Sequence, residues 1–115
     1  MEFPKTSRLL KRRQFQRVAK EGRRLAGRVV SIQFINREST LSPKLGITIS
    51  KKFGKAHVRN RFKRVVREAF RESASQFPHG LEVNVLPRFI PEHINKQDVL
   101  LDLQMLLPKI APSST

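Results

Sequence analysis

Residues 44–74, KLGITISKKFGKAHVRNRFKRVVREAFRESA, change their hydrophobic period halfway along. From 44 to 50 the pattern alternates, with Leu45, Ile47 and Ile49 on one side and Gly46, Thr48 and Ser50 on the other. A period of two belongs to a strand with one buried face. From Val58 the apolar positions are Val58, Phe62, Val65, Val66, Ala69, Phe70 and Ala74, at spacings of three and four. That spacing predicts a helix of about five turns carrying one apolar stripe. A strand that feeds a long helix through the basic loop KKFGKAH makes the chain mixed α and β.

The flanking segments extend this pattern in both directions. Upstream, 28–36 (RVVSIQFIN) reads as a strand with Val30, Ile32 and Phe34 facing one way and Val29, Ser31, Gln33 and Ile35 the other. ESTLSP (38–43) is a turn, so 28–36 and 44–50 are expected to pair antiparallel. A brief further strand is expected near 22–26. Residues 8–20 (RLLKRRQFQRVAK) form a first helix, with Thr6 or Ser7 as cap, Gly22 as its C′ residue, and a narrow stripe through Leu9 or Leu10, Phe15, Val18 and Ala19. Downstream, PHG (78–80) stops the long helix, and 81–86 (LEVNVL) is a strand with Leu81, Val83 and Val85 inward. A last helix lies between Pro91 and Pro108, capped by Asn95 with Asp98 in its first turn. The fold class is α+β: helix, strands, helix, strand, helix around one central sheet. With 115 residues this is a single domain, 1–115, ending in a short flexible tail from about 109.

Charge decides the class of partner. Twenty-four Lys and Arg stand against nine Asp and Glu, a formal net charge of +15. A polyanion gains from such a chain by releasing its condensed counterions, which makes nucleic acid the expected partner ahead of an anionic membrane. There is no Cys, and His57, His79 and His93 lie far apart outside any ligand motif, so neither a disulfide framework nor a metal site is expected. The N-terminus lacks the apolar run of a secretory signal, and no stretch approaches a membrane span, so a cytoplasmic protein is expected.

The basic residues concentrate in 51–71: Lys51, Lys52, Lys55, Arg59, Arg61, Lys63, Arg64, Arg67 and Arg71, with Glu68 the only acid. On a helix Arg59, Lys63, Arg67 and Arg71 recur every four residues, and Asn60, Arg64, Arg67 and Arg71 make the adjoining row, largely away from the apolar stripe. Like charges at that spacing cost an isolated helix a few tenths of a kcal/mol per pair, about 0.2–0.5. Bound phosphate would recover the loss, and a merely solvated face would intersperse more acids. Arg holds phosphate oxygens bidentately whereas Lys acts as a point charge. Asn60 has an amide that can orient an arginine, cap a carbonyl or touch RNA. Gly54 permits either a close backbone approach to phosphate or a simple turn, and KKFGKAH leads into the positive end of the helix. A second group, Lys11, Arg12, Arg13, Arg17, Lys20, Arg23, Arg24 and Arg28, surrounds Phe15, which is either a core residue or a platform for an unpaired base.

From about residue 8 to 107 the chain resembles the protein subunit of bacterial ribonuclease P. The most specific part is Phe53-Gly54-Lys55-Ala56-His57-Val58-Arg59-Asn60-Arg61-Phe62-Lys63-Arg64-Val65-Val66-Arg67 behind Ser50-Lys51-Lys52, and RLLKRRQFQRVAKEG matches the family's first helix. The resemblance implies a small α/β sandwich with a left-handed crossover through the arginine-rich helix, although nearly all parallel connections are right-handed. It implies that an RNA subunit cuts the 5′ leader from precursor tRNA with bound Mg²⁺, so that no protein residue is catalytic. Lys51, Lys52, Lys55, Arg59, Asn60, Arg61, Lys63, Arg64, Arg67 and Arg71 would then face ribonuclease P RNA. Phe15, Arg12, Arg17, Ser31, Gln33 and Thr48 would line the leader cleft. Relatives often carry more aromatics there; this chain has Val30, Gln33 and Ala19, which implies less stacking and more hydrogen bonding.

Two other classes remain in view. A ribosomal or general RNA-binding protein has the same composition, and only the ordered Arg-Asn-Arg motif separates it. A DNA regulator would place residues 58–71 in the major groove but needs a short helix and tight turn before it, where this chain offers a strand and a basic loop. No DNA partner is expected.

Overall fold

Four strands form one mixed sheet in the order β1-β2-β4-β3. They are β1 (Arg23–Ala26), β2 (Val30–Asn36), β3 (Lys44–Ile47) and β4 (Leu81–Pro87). Among the described residues, helices α1 (Arg12–Glu21), α2 (Ala56–Ser73) and α3 (Lys96–Ile110) accompany the sheet in an α+β architecture. The structure, a computed structural model, describes residues 11–37, 41–89 and 91–110. The expected caps Thr6 and Ser7 lie outside the described residues.

The neighbours of the strands differ from the sequence expectation in one respect. β2 does not pair with β3; it pairs antiparallel with β1 and with β4, and β3 runs parallel to β4. Alternation specifies which face of a strand is buried but not which strand lies beside it. β4 is buried along nearly its whole length, on both faces. Such a strand belongs at the sheet centre, and α2 supplies the long crossover that a parallel β3–β4 pair needs.

One sheet face carries Val30, Ile32, Phe34, Leu45, Leu81, Val83 and Val85 into a core shared with α2 and α3. From α2 come Phe62, Val65, Val66, Ala69 and Phe70; from α3 come Val99, Leu100, Leu103, Leu106 and Ile110. The α2 residues are among the positions the three-and-four spacing selected; of the others, Val58 is buried outside this cluster and Ala74 is half-buried beyond the helix end. Helix α3 continues past Pro108 because Ile110 is fully buried and its carbonyl accepts a 2.6 Å bond from Asn36 Nδ2. Lys109 and Ile110 thus belong to the last helix, beyond the Pro108 boundary expected from the sequence. At the other end of α3, Asn95 Oδ1 accepts from the Asp98 N–H at 2.9 Å and Asp98 Oδ2 accepts from the Asn95 N–H at 3.0 Å. This reciprocal capping satisfies two backbone donors.

α1 lies on the opposite face of the sheet. Its stripe is narrow, and Val18 is its one fully buried side chain. Gly22 ends it, with φ −73° and ψ 160°, so the glycine does not serve as a left-handed cap. A Cβ there would sit 2.4 Å from the Val18 carbonyl oxygen and 2.9 Å from that of Phe34. Close approach of the helix end to β2 is therefore what requires glycine. Asp102 closes the other end of β2: its buried carboxylate accepts backbone N–H bonds from Arg28, Val29 and Val30 at 2.8–3.0 Å.

Candidate nucleic-acid interface

The arginine-rich helix begins where β3 ends. Thr48 N–H donates to the Val85 carbonyl at 2.9 Å, extending the parallel pairing by one bond, and Lys51–Phe53 then forms a 3₁₀ turn. Gly54 follows with φ 138°, a conformation that favours glycine. Lys55 precedes α2 as an extended residue with no side-chain cap, and no acid lies in the first turn. No side-chain cap or first-turn acid among the described residues therefore neutralises the positive end of this helix. Lys51, Lys52 and Lys55, all exposed, surround it.

Because Val58, Phe62, Val65, Val66, Ala69, Phe70 and Ser73 are buried, the basic positions between them, Arg61 apart, face outward. Asn60, Arg64, Arg67 and Arg71 are exposed; Arg59 and Lys63 are half-buried. Arg59 Nε donates to the Gly54 carbonyl at 3.2 Å, which ties the loop to the helix, and Arg67 Nε donates to the Lys63 carbonyl at 3.2 Å. Among the described residues the ion pairs are Arg17–Glu82 and Lys96–Glu72, so Arg59, Lys63, Arg64, Arg67 and Arg71 present charge that no acid offsets. Glu72 is occupied by Lys96 at 2.6 Å; that hydrogen bond, with the charge of Glu72, raises the ammonium pKa.

Arg61 stands apart from this row. It is half-buried, and its Nη1 donates to the carbonyls of Ile94 at 2.8 Å and Glu92 at 3.4 Å. It braces α2 against the turn before α3, so the sequence grouped it with the outward arginines only because a charge carries no direction.

The second surface is the polar sheet face beside α1. Thr48 Oγ1 donates to Asn84 Oδ1 at 3.0 Å, and Asn84 Nδ2 donates to Gln33 Oε1 at 3.2 Å, linking three strands. Ser31, half-buried, lies on the same face of β2. Ser31, Gln33 and Thr48 are thus brought together as expected, and Asn84 joins them. Asn84 and Glu82 were readable in LEVNVL as the polar alternates to Leu81, Val83 and Val85.

Phe15 and Arg17 occupy different flanks of α1. At 100° per residue they lie about 160° apart around the helix axis. Phe15 is half-buried on the flank that also carries the exposed Arg12 and Ala19. Arg17 instead pairs with Glu82, its Nη2 3.0 Å from both carboxylate oxygens, and Gln14 Nε2 donates to the same carboxylate at 3.2 Å. Arg17 thus lies on the flank of α1 opposite Phe15 and Arg12, held to a carboxylate two residues along β4 from Asn84.

Comparison with known proteins supplies the family. The family model described as Ribonuclease P matches residues 3–111. A ribonuclease P protein component of Chlamydia trachomatis serovar L2 is 48% identical over 88 residues, covering 76% of this chain and 72% of the relative. The corresponding protein of Chlamydia felis is 41% identical and covers 96% of this chain and 78% of its own. Among solved structures, the RNase P protein of Thermotoga maritima superposes with a TM-score of 0.77 at 35% identity, covering 90% of this chain and 97% of that one. One from Staphylococcus aureus gives 0.75 at 29% identity, covering 90% and 94%. A sheet with an arginine-rich crossover helix, matched over nearly the whole length, places this chain in the ribonuclease P protein component family, whose members are subunits of an endoribonuclease holoenzyme.

Proposed function

We propose that the chain holds ribonuclease P RNA with the outward face of α2 and the 3₁₀ turn before it, and lays the 5′ leader of precursor tRNA along the polar sheet face beside α1. The observation that carries this reading is the row Arg59, Lys63, Arg64, Arg67 and Arg71, which no acid pairs, beside the uncapped positive end of the same helix. Phosphates meeting this row are bound by charge-assisted hydrogen bonds and release counterions. Such contacts position a folded RNA without reading its sequence.

The sheet face has a different chemistry. Thr48, Asn84, Gln33 and Ser31 offer hydroxyls and amides that donate and accept, and Phe15 offers a ring on which an unpaired base can stack. A single-stranded leader has its base edges free for both kinds of contact. The protein's contribution to cleavage is then to bind and orient the leader next to the catalytic RNA. Mg²⁺ supplies Lewis-acid and hydroxide chemistry when bound. In keeping with the family resemblance, this reading assigns the ion and the chemical step to the RNA. Transfer-RNA maturation locates the protein in the cytoplasm, and no described helix is long and apolar enough to cross a membrane.

The native chain has no Cys, so one introduced thiol carries a photo-crosslinker to a single place. Arg64→Cys is expected to crosslink the catalytic RNA and Ala19→Cys, on the Phe15 flank, the leader of bound precursor. The reverse pattern, or leader crosslinks from both, would overturn the assignment of the two surfaces.

A further inference from the structure

Glu82 is a buried carboxylate on the polar sheet face, two residues along β4 from Asn84 and so on the same side of the strand. It holds α1 to the sheet. Among the described residues, the side-chain hydrogen bonds from α1 to the sheet all end on this one group. Arg17 Nη2 donates to both of its oxygens at 3.0 Å and Gln14 Nε2 to one of them at 3.2 Å. Apolar anchorage is slight, because Val18 is the only fully buried side chain of the helix. At 100° per residue, Phe15 lies about 60° round from Val18 on one side of the helix and Arg17 about 100° round on the other. Val18 therefore acts as a pivot, and the Arg17–Glu82 pair fixes the roll of the helix about it.

We infer that Glu82 is a positioning residue for leader binding: through Arg17 and Gln14 it sets the height of Phe15 over the sheet. Without the carboxylate, a guanidinium whose Nε is already buried and unpartnered also loses the acceptor of its Nη2. A largely buried cation stripped of its partner is strongly unfavourable, and rotation toward water relieves it. The roll that lifts Arg17 off the sheet turns Phe15 down onto it. A roll of about 20° moves a side chain about 5–6 Å from the axis by roughly 2 Å. A gap of only about 0.5–1 Å forfeits a quarter to a half of a dispersion contact, so a base stacked on Phe15 loses its platform. The inference rests on the leader reading above, and it gives Arg17 to Glu82 instead of to the leader. α2 plays no part in it, so assembly with the catalytic RNA stays as it is.

Helix placement is read without RNA. The chain has no Cys, so Gln16→Cys, on the outer side of α1, and Ser75→Cys, in the 3₁₀ turn after α2, carry a pair of spin labels at exposed positions. Glu82→Gln is expected to shift or broaden their distance distribution; an unchanged distribution overturns the inference. Function is read on the holoenzyme, as its affinity for precursor relative to mature tRNA. Glu82→Gln should lower this preference about fivefold, the lower end of what one base–aromatic stack contributes, with assembly unchanged. Arg17→Lys keeps a cation for the carboxylate and should retain the preference; loss there would mean that Arg17 itself touches the leader, against the inference. Arg17→Met breaks the pair from the helix side and repeats both measurements if Glu82→Gln does not fold. In a Phe15→Ala background Glu82→Gln should cost nothing more, because both act through one ring. A full further loss there, an equal loss for mature tRNA, or weaker assembly makes Glu82 general support for the fold and overturns the inference. If Phe15→Ala reduces the preference and Glu82→Gln does not, the inference fails alone; if neither does, the leader reading fails with it.

Discussion

Replacing Arg64 and Arg67 together by Ala removes two outward guanidinium groups at almost no structural cost. Arg64 is exposed, and the one bond of Arg67 is a 3.2 Å donation to a carbonyl of its own helix. Exposed substitutions of this kind change stability by about 0.5 kcal/mol or less, and Ala favours the helix. Binding is a different matter. Two phosphate contacts to a duplex-like RNA contribute about 1.8 to the slope of log K against log salt. The double variant should therefore bind the catalytic RNA about sixtyfold more weakly at 0.1 M monovalent salt but only about fivefold more weakly at 0.4 M. Fluorescence anisotropy of labelled RNA over that range reads both numbers, with circular dichroism confirming the fold. A loss that is the same at every salt concentration would refute the counterion argument, and no loss at all would remove these arginines from the interface.

Three further expectations follow from particular contacts. Phe15→Ala should reduce the preference of the holoenzyme for precursor over mature tRNA, because only the precursor has a leader; an equal loss for both would make Phe15 a packing residue. Asp102→Ala leaves three backbone N–H groups, that of Val30 buried and those of Arg28 and Val29 partly so, without their acceptor, which should cost about 3 kcal/mol and lower the thermal midpoint by roughly 10 °C; a midpoint within a degree or two of the parent would mean that water replaces the carboxylate. Gly22→Ala should destabilise by about 1–3 kcal/mol, since the added methyl overlaps two backbone carbonyls in a well-packed junction; an unchanged denaturant midpoint would show that α1 can shift away freely.

The elements and their buried faces were legible in the sequence because period is a local property. Residues 44–50 and 58–74 announced a strand and a helix, and most of the apolar positions they nominated pack in the core or against it. Strand neighbours were not legible: a short turn at 38–43 suggested a hairpin, whereas the centre of the sheet went to β4, more than thirty residues further on. The basic face of α2 was read correctly as a face. The exception is Arg61, whose carbonyl partners at Glu92 and Ile94 come from a turn that no helical periodicity predicts. The pairing of Arg17 was illegible for the same reason, as Glu82 lies 65 residues away along the chain. Gly22 was identified as a helix end, but its cause is the nearby carbonyl of Phe34, not a left-handed backbone.

The central claim is that this chain enables a catalytic RNA to process precursor tRNA. Its most direct test is cleavage of precursor tRNA by a bacterial ribonuclease P RNA at low Mg²⁺, with and without the protein. The account predicts protein-dependent cleavage at the mature 5′ end, reduced by the Arg64/Arg67 substitutions. No stimulation, with RNA binding intact and a known subunit active in the same assay, would contradict it and favour a general RNA-binding role.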